Sequence, residues 1–175
     1  AGNPVWGGVL KNDDKRHALA QVIFGDQVCV NSHTVGMIWD KLSRERGAFK
    51  ANQSRINETA KINLSSPGIV EGHLYCQGAA TEFICLNASN GELKWTHENF
   101  SRDTKKMSSS VLAIGNKILA LNYEGLLYLI EADPAKYTEV SHVQVCGSNW
   151  NFPACANGKL FVRDNRELIC YDLSP

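Results

Sequence analysis

The residues with the clearest potential for binding chemistry lie in GSNWNFP, residues 147–153. Asn149 and Asn151 flank Trp150, so the stretch offers one large apolar ring between two amide groups, a combination found in many sites for polar ligands. Packing of Trp150 between structural units, with the asparagines forming turns, is the alternative role. We predict Asn149, Trp150 and Asn151 as candidate ligand-binding residues and leave the structural alternative open.

The cysteines, histidines and serines show no spacing that predicts catalysis or metal binding. The six cysteines include no C-x-x-C pair, and the five histidines are scattered along the chain. The patterns G-x-S-x-G, S-x-x-K, G-x-G-x-x-G and the P-loop are also absent from the sequence. We therefore predict no catalytic residue, no metal ligand and no cofactor. The cysteines are expected mainly as small buried strand residues, with disulfides between neighbouring strands left open.

Charge and hydropathy argue against two classes of partner. Lysine and arginine number 18, as do aspartate and glutamate, so the formal charge is zero and nothing attracts the chain to nucleic acid. No apolar run approaches the roughly 20 residues that span a bilayer, and the first residues lack the layout of a signal peptide. We expect no nucleic-acid partner, no membrane span, and an export signal that is either removed or never present.

The elements that must position these residues recur along the chain. Four stretches each predict a strand, a tight turn of residues that tolerate positive φ, and a second strand: FGDQVCV (24–30), VEGHLYC (70–76), IGNKILA (114–120) and ANGKLFV (156–162). A further strand follows each of them at a matching distance: GMIWD (36–40), FICLN (83–87), LLYLI (126–130) and LICYD (168–172). The copies repeat about every 43 residues, which indicates one repeated supersecondary unit.

A period of that length, with three or four short antiparallel strands in each copy, is typical of a β-propeller blade. We predict an all-β fold: a β-propeller of about four blades, a partial or half ring, in which each blade is a four-stranded antiparallel sheet. The predicted blades of this single repeat domain (1–175) span about 1–51, 52–100, 101–146 and 147–175, the last of them incomplete. Because a half ring exposes sheet faces, we expect a second copy of the chain or the missing half of a longer propeller as partner.

The stretch NASNGELKW, residues 87–95, predicts a contact between blades. Asn90-Gly91 predicts the turn between the third and fourth strands of its blade, which places Trp95 on the outermost strand. An indole ring there can cover apolar surface between blades while its N–H reaches a backbone carbonyl.

This stretch resembles the pyrroloquinoline-quinone-type, or quinoprotein-like, propeller repeat, whose blades end in an Ala-x-Asp-Ala-x-Thr-Gly-x-x-x-Trp docking motif. Cys85 stands at the first Ala and Asn87 at the Asp, whereas Ala88, Gly91 and Trp95 match the motif. The resemblance implies a structural, blade-docking role for Asn87, Gly91 and Trp95. Residues towards the C-terminus are similar to the closing blades of bacterial quinoprotein-like propellers, which usually have seven or eight blades.

The resemblance also frames the expected function. Quinoprotein dehydrogenases hold their quinone with calcium, an aspartate base and a disulfide between adjacent cysteines, and this chain has no Cys-Cys dipeptide. We therefore expect a non-catalytic propeller scaffold that binds a protein or carbohydrate ligand. A fragment of a quinone-dependent dehydrogenase and an interaction propeller of the outer-membrane-assembly type are the alternatives. The resemblance implies a periplasmic or other extracytoplasmic location.

Overall fold

The computed structural model describes Gly7, residues 20–106 and residues 108–174, and for residues 53–55 the backbone alone. The described residues form sixteen β-strands and no helix. Short runs of alternating or continuous apolar residues, separated by glycine and asparagine turns, account for this outcome. The predicted all-β class is therefore confirmed.

The first two sheets each contain four antiparallel strands in chain order. Sheet 1 consists of β1 (Val22–Phe24), β2 (Gln27–Ser32), β3 (Gly36–Glu45) and β4 (Ala48–Asn57). Sheet 2 consists of β6 (Gly68–Val70), β7 (His73–Gln77), β8 (Phe83–Asn87) and β9 (Leu93–His97). The boundary predicted between residues 51 and 52 lies within β4, because β3 and β4 form a hairpin of ten-residue strands that turns at Arg46-Gly47.

The last two sheets continue the same order. Sheet 3 consists of β10 (Ser108–Ile114), β11 (Lys117–Asn122), β12 (Leu126–Glu131) and β13 (Glu139–Gln144), with β5 (Leu64–Ser66) added beside β10. Sheet 4, in the part of the chain that the structure describes, has three strands: β14 (Ala154–Ala156), β15 (Lys159–Arg163) and β16 (Leu168–Asp172). In the predicted hairpin turns, both Glu71-Gly72 and Asn157-Gly158 have positive φ at each residue, as type I′ turns require.

Three apolar clusters join the sheets in sequence, and we call these interfaces the first, second and third seams. The first seam, between sheets 1 and 2, is built around Trp39 and Leu86. The second seam, between sheets 2 and 3, contains Phe83 and Tyr128, and the third, between sheets 3 and 4, contains Leu121 and Leu160. Each inner sheet thus buries both faces against its neighbours, which is the packing of propeller blades.

The strand nearest the start of sheet 2 is divided at Pro67. Before it, β5 pairs in parallel with β10 of sheet 3, and after it, β6 pairs antiparallel with β7 of sheet 2. Proline has no N–H to donate, so it suits the point where the chain passes from one sheet to the other. The Oγ atoms of Ser65 and Ser109 lie 2.5 Å apart across this junction.

Candidate binding surface and docking contacts

The turn after β11 anchors the connections that lead into sheet 3 and sheet 4. The Glu124 carboxylate accepts hydrogen bonds from the backbone N–H groups of Arg102 and Asp103, each at 2.8 Å. The backbone carbonyl of Tyr123 accepts the N–H of Asn149 at 2.9 Å. Both connections are therefore fixed to the same turn.

Asn149 lies in the second of these connections with its side chain turned inward. It is only 3% exposed, and its Nδ2 donates to the backbone carbonyl of Asn122 at 3.2 Å. The same Nδ2 lies 3.4 Å from the carbonyl of Gly147. Its Oδ1 accepts the backbone N–H of Asn151 at 3.4 Å, a long bond. The amide of Asn149 is thus engaged by the chain itself, as the turn-forming alternative describes.

Trp150 points the other way and is 49% exposed. Its ring packs edge-on against the buried Tyr123, with the ring centroids 5.3 Å apart and the planes at 64°. Asn151 is half-buried, and its carbonyl accepts the hydroxyl of Ser110 at 3.3 Å. Of the three predicted ligand-binding residues, Trp150 is the one that presents a large side chain to solvent.

A cation completes this surface. Lys106 Nζ donates to the Tyr123 hydroxyl at 2.9 Å and lies 5.0 Å from the centre of the Tyr123 ring. Two hydrogen bonds lower the pKa of the Tyr123 phenol: the larger contribution comes from Lys106 and the smaller from Ser148. We call Lys106, Tyr123 and Trp150 together the Trp150 surface. The sequence carries no motif for Lys106 or Tyr123, so only the fold could bring them to Trp150.

The predicted docking residues lie where two sheets meet. Trp95, on β9, donates its indole N–H at 2.8 Å to the carbonyl of Asp133, which lies just after β12 of sheet 3. Asn87 Oδ1 accepts the backbone N–H of Ser89 at 2.8 Å, which shapes the turn after β8. Gly91 closes that turn with φ +69°, where a side chain would meet the ring of Trp39. The docking role of Asn87, Gly91 and Trp95 stays a prediction, and these contacts describe how each residue would perform it.

Trp39 makes a contact between sheets that the sequence reasoning missed. It is fully buried, and its indole N–H donates to the carbonyl of Ala88, in the turn just after β8 of sheet 2, at 2.7 Å. It stands on β3, the third strand of its sheet, three residues after Gly36, whereas Trp95 stands on the outermost strand of sheet 2. The GMIWD pattern alone gave no signal for this contact.

The cysteines are all free: Cys29, Cys76, Cys85 and Cys146 are buried, and Cys155 and Cys170 are exposed. Burial raises the pKa of Cys29 to about 12 and that of Cys85 to about 11, so both remain protonated thiols near neutral pH. Within residues 20–106 and 108–174, no three or more histidine, cysteine, aspartate and glutamate side chains are grouped to hold a metal ion. The same residues include no helix long and apolar enough to cross a membrane.

Comparison with known proteins identifies the fold. No family model matches the chain, and no curated protein matches it. Among solved structures, BamB from Moraxella catarrhalis is similar with a TM-score of 0.68 and 13% identity, over 93% of this chain and 48% of that chain. Apo AztD from Citrobacter koseri is similar with a TM-score of 0.56 and 15% identity, over 87% of this chain and 43% of that one.

A third similar structure is the computationally designed Ika4 protein, with a TM-score of 0.61 and 4% identity, over 99% of this chain and 100% of the designed chain. At such low identity these likenesses show the fold alone: the chain has a β-propeller fold, as the sequence predicts. The chain spans about half the length of the BamB and AztD chains.

Proposed function

We propose that this chain is a non-catalytic propeller scaffold that binds a protein or carbohydrate ligand at the Trp150 surface. The observation that supports this proposal most directly is the half-exposed Trp150 ring held against the buried Tyr123. A large aromatic side chain whose orientation is already fixed loses little conformational entropy on binding. Aromatic residues held in this way dominate the binding energy of many interfaces.

The experiment for this proposal is a titration of the purified chain against arrays of defined oligosaccharides and peptides. Binding should quench or shift the fluorescence of the exposed Trp150, and the Trp150→Ala variant should lose at least about tenfold in affinity, which is typical of an aromatic hot spot. Ile114→Ala is the matched control, because Ile114 is 43% exposed at the opposite end of β10. Equal affinity of the two variants would rule out the Trp150 surface as the binding site.

We further propose that a second copy of the chain, or the other half of a longer propeller, covers sheet 4. The face of sheet 4 that turns away from the third seam carries Phe161, Leu168 and Cys170, of which Leu168 is 72% exposed. Apolar side chains on a terminal sheet face favour burial against another sheet. The match to Ika4 over that whole chain supports the view that a chain of this extent can adopt the fold.

Light scattering with native mass spectrometry tests this arrangement. A pair of copies has twice the 19.3 kDa mass of one chain, and Leu168→Glu should return it to the single mass because a carboxylate would be buried in the contact. Ile114→Glu serves as the control and should leave the pair intact. A wild-type chain that stays at 19.3 kDa at high micromolar concentration would exclude pairing with a second copy.

An extracytoplasmic location is the final part of the proposal, and the resemblance of the sequence is its support. Six free cysteines are more typical of a reducing compartment, so the location calls for a direct measurement. Fractionation of cells that express the full gene product would place the protein, and recovery with the cytoplasmic fraction alone would refute this part.

A further inference from the structure

A groove of about 400 Å³ lies beside the first seam, on the face of sheet 2 that turns towards sheet 1. Its floor is apolar and includes Ile84, Leu86 and the 55% exposed Leu93, with Thr96 beside them. The volume falls within the range of natural ligand sites, which combine an apolar lining with a few polar groups.

The charged lining of the groove is mainly acidic. Glu82, Glu98 and Lys61 contribute two carboxylates and one ammonium group. The Glu82 carboxylate is held in place, because its Oε2 accepts the backbone N–H of Ala80 at 3.1 Å. The groove therefore favours a ligand that carries a positive charge next to an apolar body.

The wall opposite sheet 2 is fixed at two points before any ligand arrives. Asn57 Nδ2 donates to the carbonyl of Gly91 at 3.0 Å, and its Oδ1 accepts the backbone N–H of Thr59 at 3.0 Å. Further along, Asn31 Nδ2 donates to the carbonyl of Ala60 at 3.1 Å. Thr59, Ala60 and Gly91 all line the groove, so the groove is preformed.

At the position in the second seam that is equivalent to the groove, the protein places aromatic side chains of its own. Ile84 pairs with Thr96 in sheet 2, and the equivalent pair in sheet 3 is Tyr128 with His142. The first apolar residues after the equivalent hairpin turns are Leu74 and Ile118, which pair with Leu86 and Ile130. Ile84 and Tyr128 each lie two residues before these partners, so they occupy equivalent positions. The Tyr128 ring packs 4.7 Å from Phe100 and 5.5 Å from His142.

Smaller side chains in sheet 2 thus leave room where sheet 3 has its own aromatic rings. We propose that the groove beside the first seam binds a small aromatic amine, with the ring over Ile84 and Leu86 and the ammonium group near Glu82 and Glu98. This site is independent of the Trp150 surface.

Amide chemical shifts of the ¹⁵N-labelled chain test the proposal with phenethylamine as the probe and phenylpropionate as its anionic counterpart. Phenethylamine should shift the amides of Ala60, Leu93 and Thr96 saturably, and phenylpropionate should bind at least about fivefold more weakly because of the carboxylates. Shifts confined to Tyr123 and Trp150, or equal affinity for the two compounds, would overturn the proposal.

Two variants separate groove filling from misfolding. The double variant Ile84→Tyr with Thr96→His copies the sheet 3 pair and should weaken phenethylamine binding at least about tenfold, because its own ring would occupy the groove. The double variant Glu82→Gln with Glu98→Gln keeps the shape and should weaken binding about two- to fivefold. Trp150→Ala should bind phenethylamine as the wild type does. Unchanged affinity for phenethylamine in both double variants would refute the site. If the double variant Ile84→Tyr with Thr96→His does not fold, unchanged affinity in Glu82→Gln with Glu98→Gln would refute it.

Discussion

The first and second seams use the same hydrogen bond but close their outer edges differently. In each, an indole N–H donates to a backbone carbonyl in the turn after the third strand of the next sheet: Trp39 to Ala88 at 2.7 Å and Trp95 to Asp133 at 2.8 Å. Trp39 is fully buried on β3, whereas Trp95 is half-buried on β9.

The surroundings of the two tryptophans explain the difference. In the second seam, Tyr137 packs edge-on against Trp95 at 5.6 Å and stacks on His97 at 3.7 Å, so aromatic rings fill the rim. In the first seam, the rim holds the preformed groove lined by Ile84 and Thr96. The comparison teaches that docking two sheets and filling the space between them are separate tasks, carried by different residues.

The largest effect on this comparison is expected from removal of the buried indole. Trp39→Ala should lower the free energy of unfolding by about 3–5 kcal/mol, because it opens a cavity and leaves the Ala88 carbonyl without its donor. Trp95→Ala should cost less, because Trp95 is half-buried. Urea denaturation of the two variants measures both losses. A larger loss for Trp95→Ala would reverse the ranking of the two seams.

A smaller loss is expected where the turn of sheet 2 receives Trp39. In Gly91→Ala, the new Cβ would lie 2.5 Å from Cη2 of Trp39, at a residue with φ +69°. We expect a loss of about 2–4 kcal/mol from the clash and the backbone strain together. Gly115→Ala is the control, because Gly115 has φ +59° and nothing within 4 Å of the added Cβ. Its loss should be about 1 kcal/mol. Equal urea midpoints for Gly91→Ala and Gly115→Ala would show that the contact with Trp39 does not destabilise the first variant.

The hydrogen bond of the second seam is expected to contribute less again. Trp95→Phe keeps a ring among Tyr75, Phe83 and Tyr137 but removes the donor to Asp133. The loss should be about 1 kcal/mol, the usual net contribution of one such bond. Thermal and urea unfolding measure it. No loss at all would indicate that the carbonyl of Asp133 is satisfied by water in the variant, and that ring packing alone docks sheets 2 and 3.

The smallest effect concerns how well each seam excludes water. Burial raises the pKa of Cys29 in the first seam and of Cys85 in the second above the ordinary value of 9.0. Above pH 9 the unfolded chain loses these protons while the folded chain keeps them, so the free energy of unfolding falls as pH rises, by at most about 1.4 kcal/mol per unit for each thiol. Well below pH 9 the thiols are protonated in both the folded and the unfolded chain, so they contribute no slope there.

Variants Cys29→Ala and Cys85→Ala sharpen the comparison. In each variant the free energy of unfolding should fall less steeply between pH 9 and 10 than in the wild type. The two changes should be similar, because both folded pKa values lie at about 11 or above. Urea denaturation at pH 8, 9 and 10 gives the slopes. A clearly smaller change for Cys29→Ala would mean that water reaches the first seam through its groove.

Local sequence patterns were enough to predict the fold. The hairpin turns Glu71-Gly72 and Asn157-Gly158 are short and require residues that accept positive φ, so their sequence alone identifies them. The predicted third strand FICLN coincides with β8, because a continuous apolar run between turn residues can bury both faces. Repetition of these local signals then indicated a propeller.

The contacts between sheets were harder to predict, since they depend on register. A β-bulge between Cys85 and Leu86 and another between Leu129 and Ile130 shift the pairing of the outer strands. The bulges displace residues of the outer strands, so the pairing of Ile84 with Thr96 and of Tyr128 with His142, and hence the groove, cannot be read from sequence spacing alone. The inward orientation of Asn149 depends on the turn at Tyr123, which is distant in sequence.

The parallel pairing of β5 with β10 has a consequence for how such repeats diverge. Leu64, Ser65 and Ser66 join sheet 3 through main-chain atoms, which every residue type except proline supplies in full. Amino-acid replacements in this short strand can therefore accumulate without dissolving the join, provided that they fit the space. Neighbouring copies can lose nearly all sequence similarity to each other in this way, while main-chain hydrogen bonds still connect one sheet to the next.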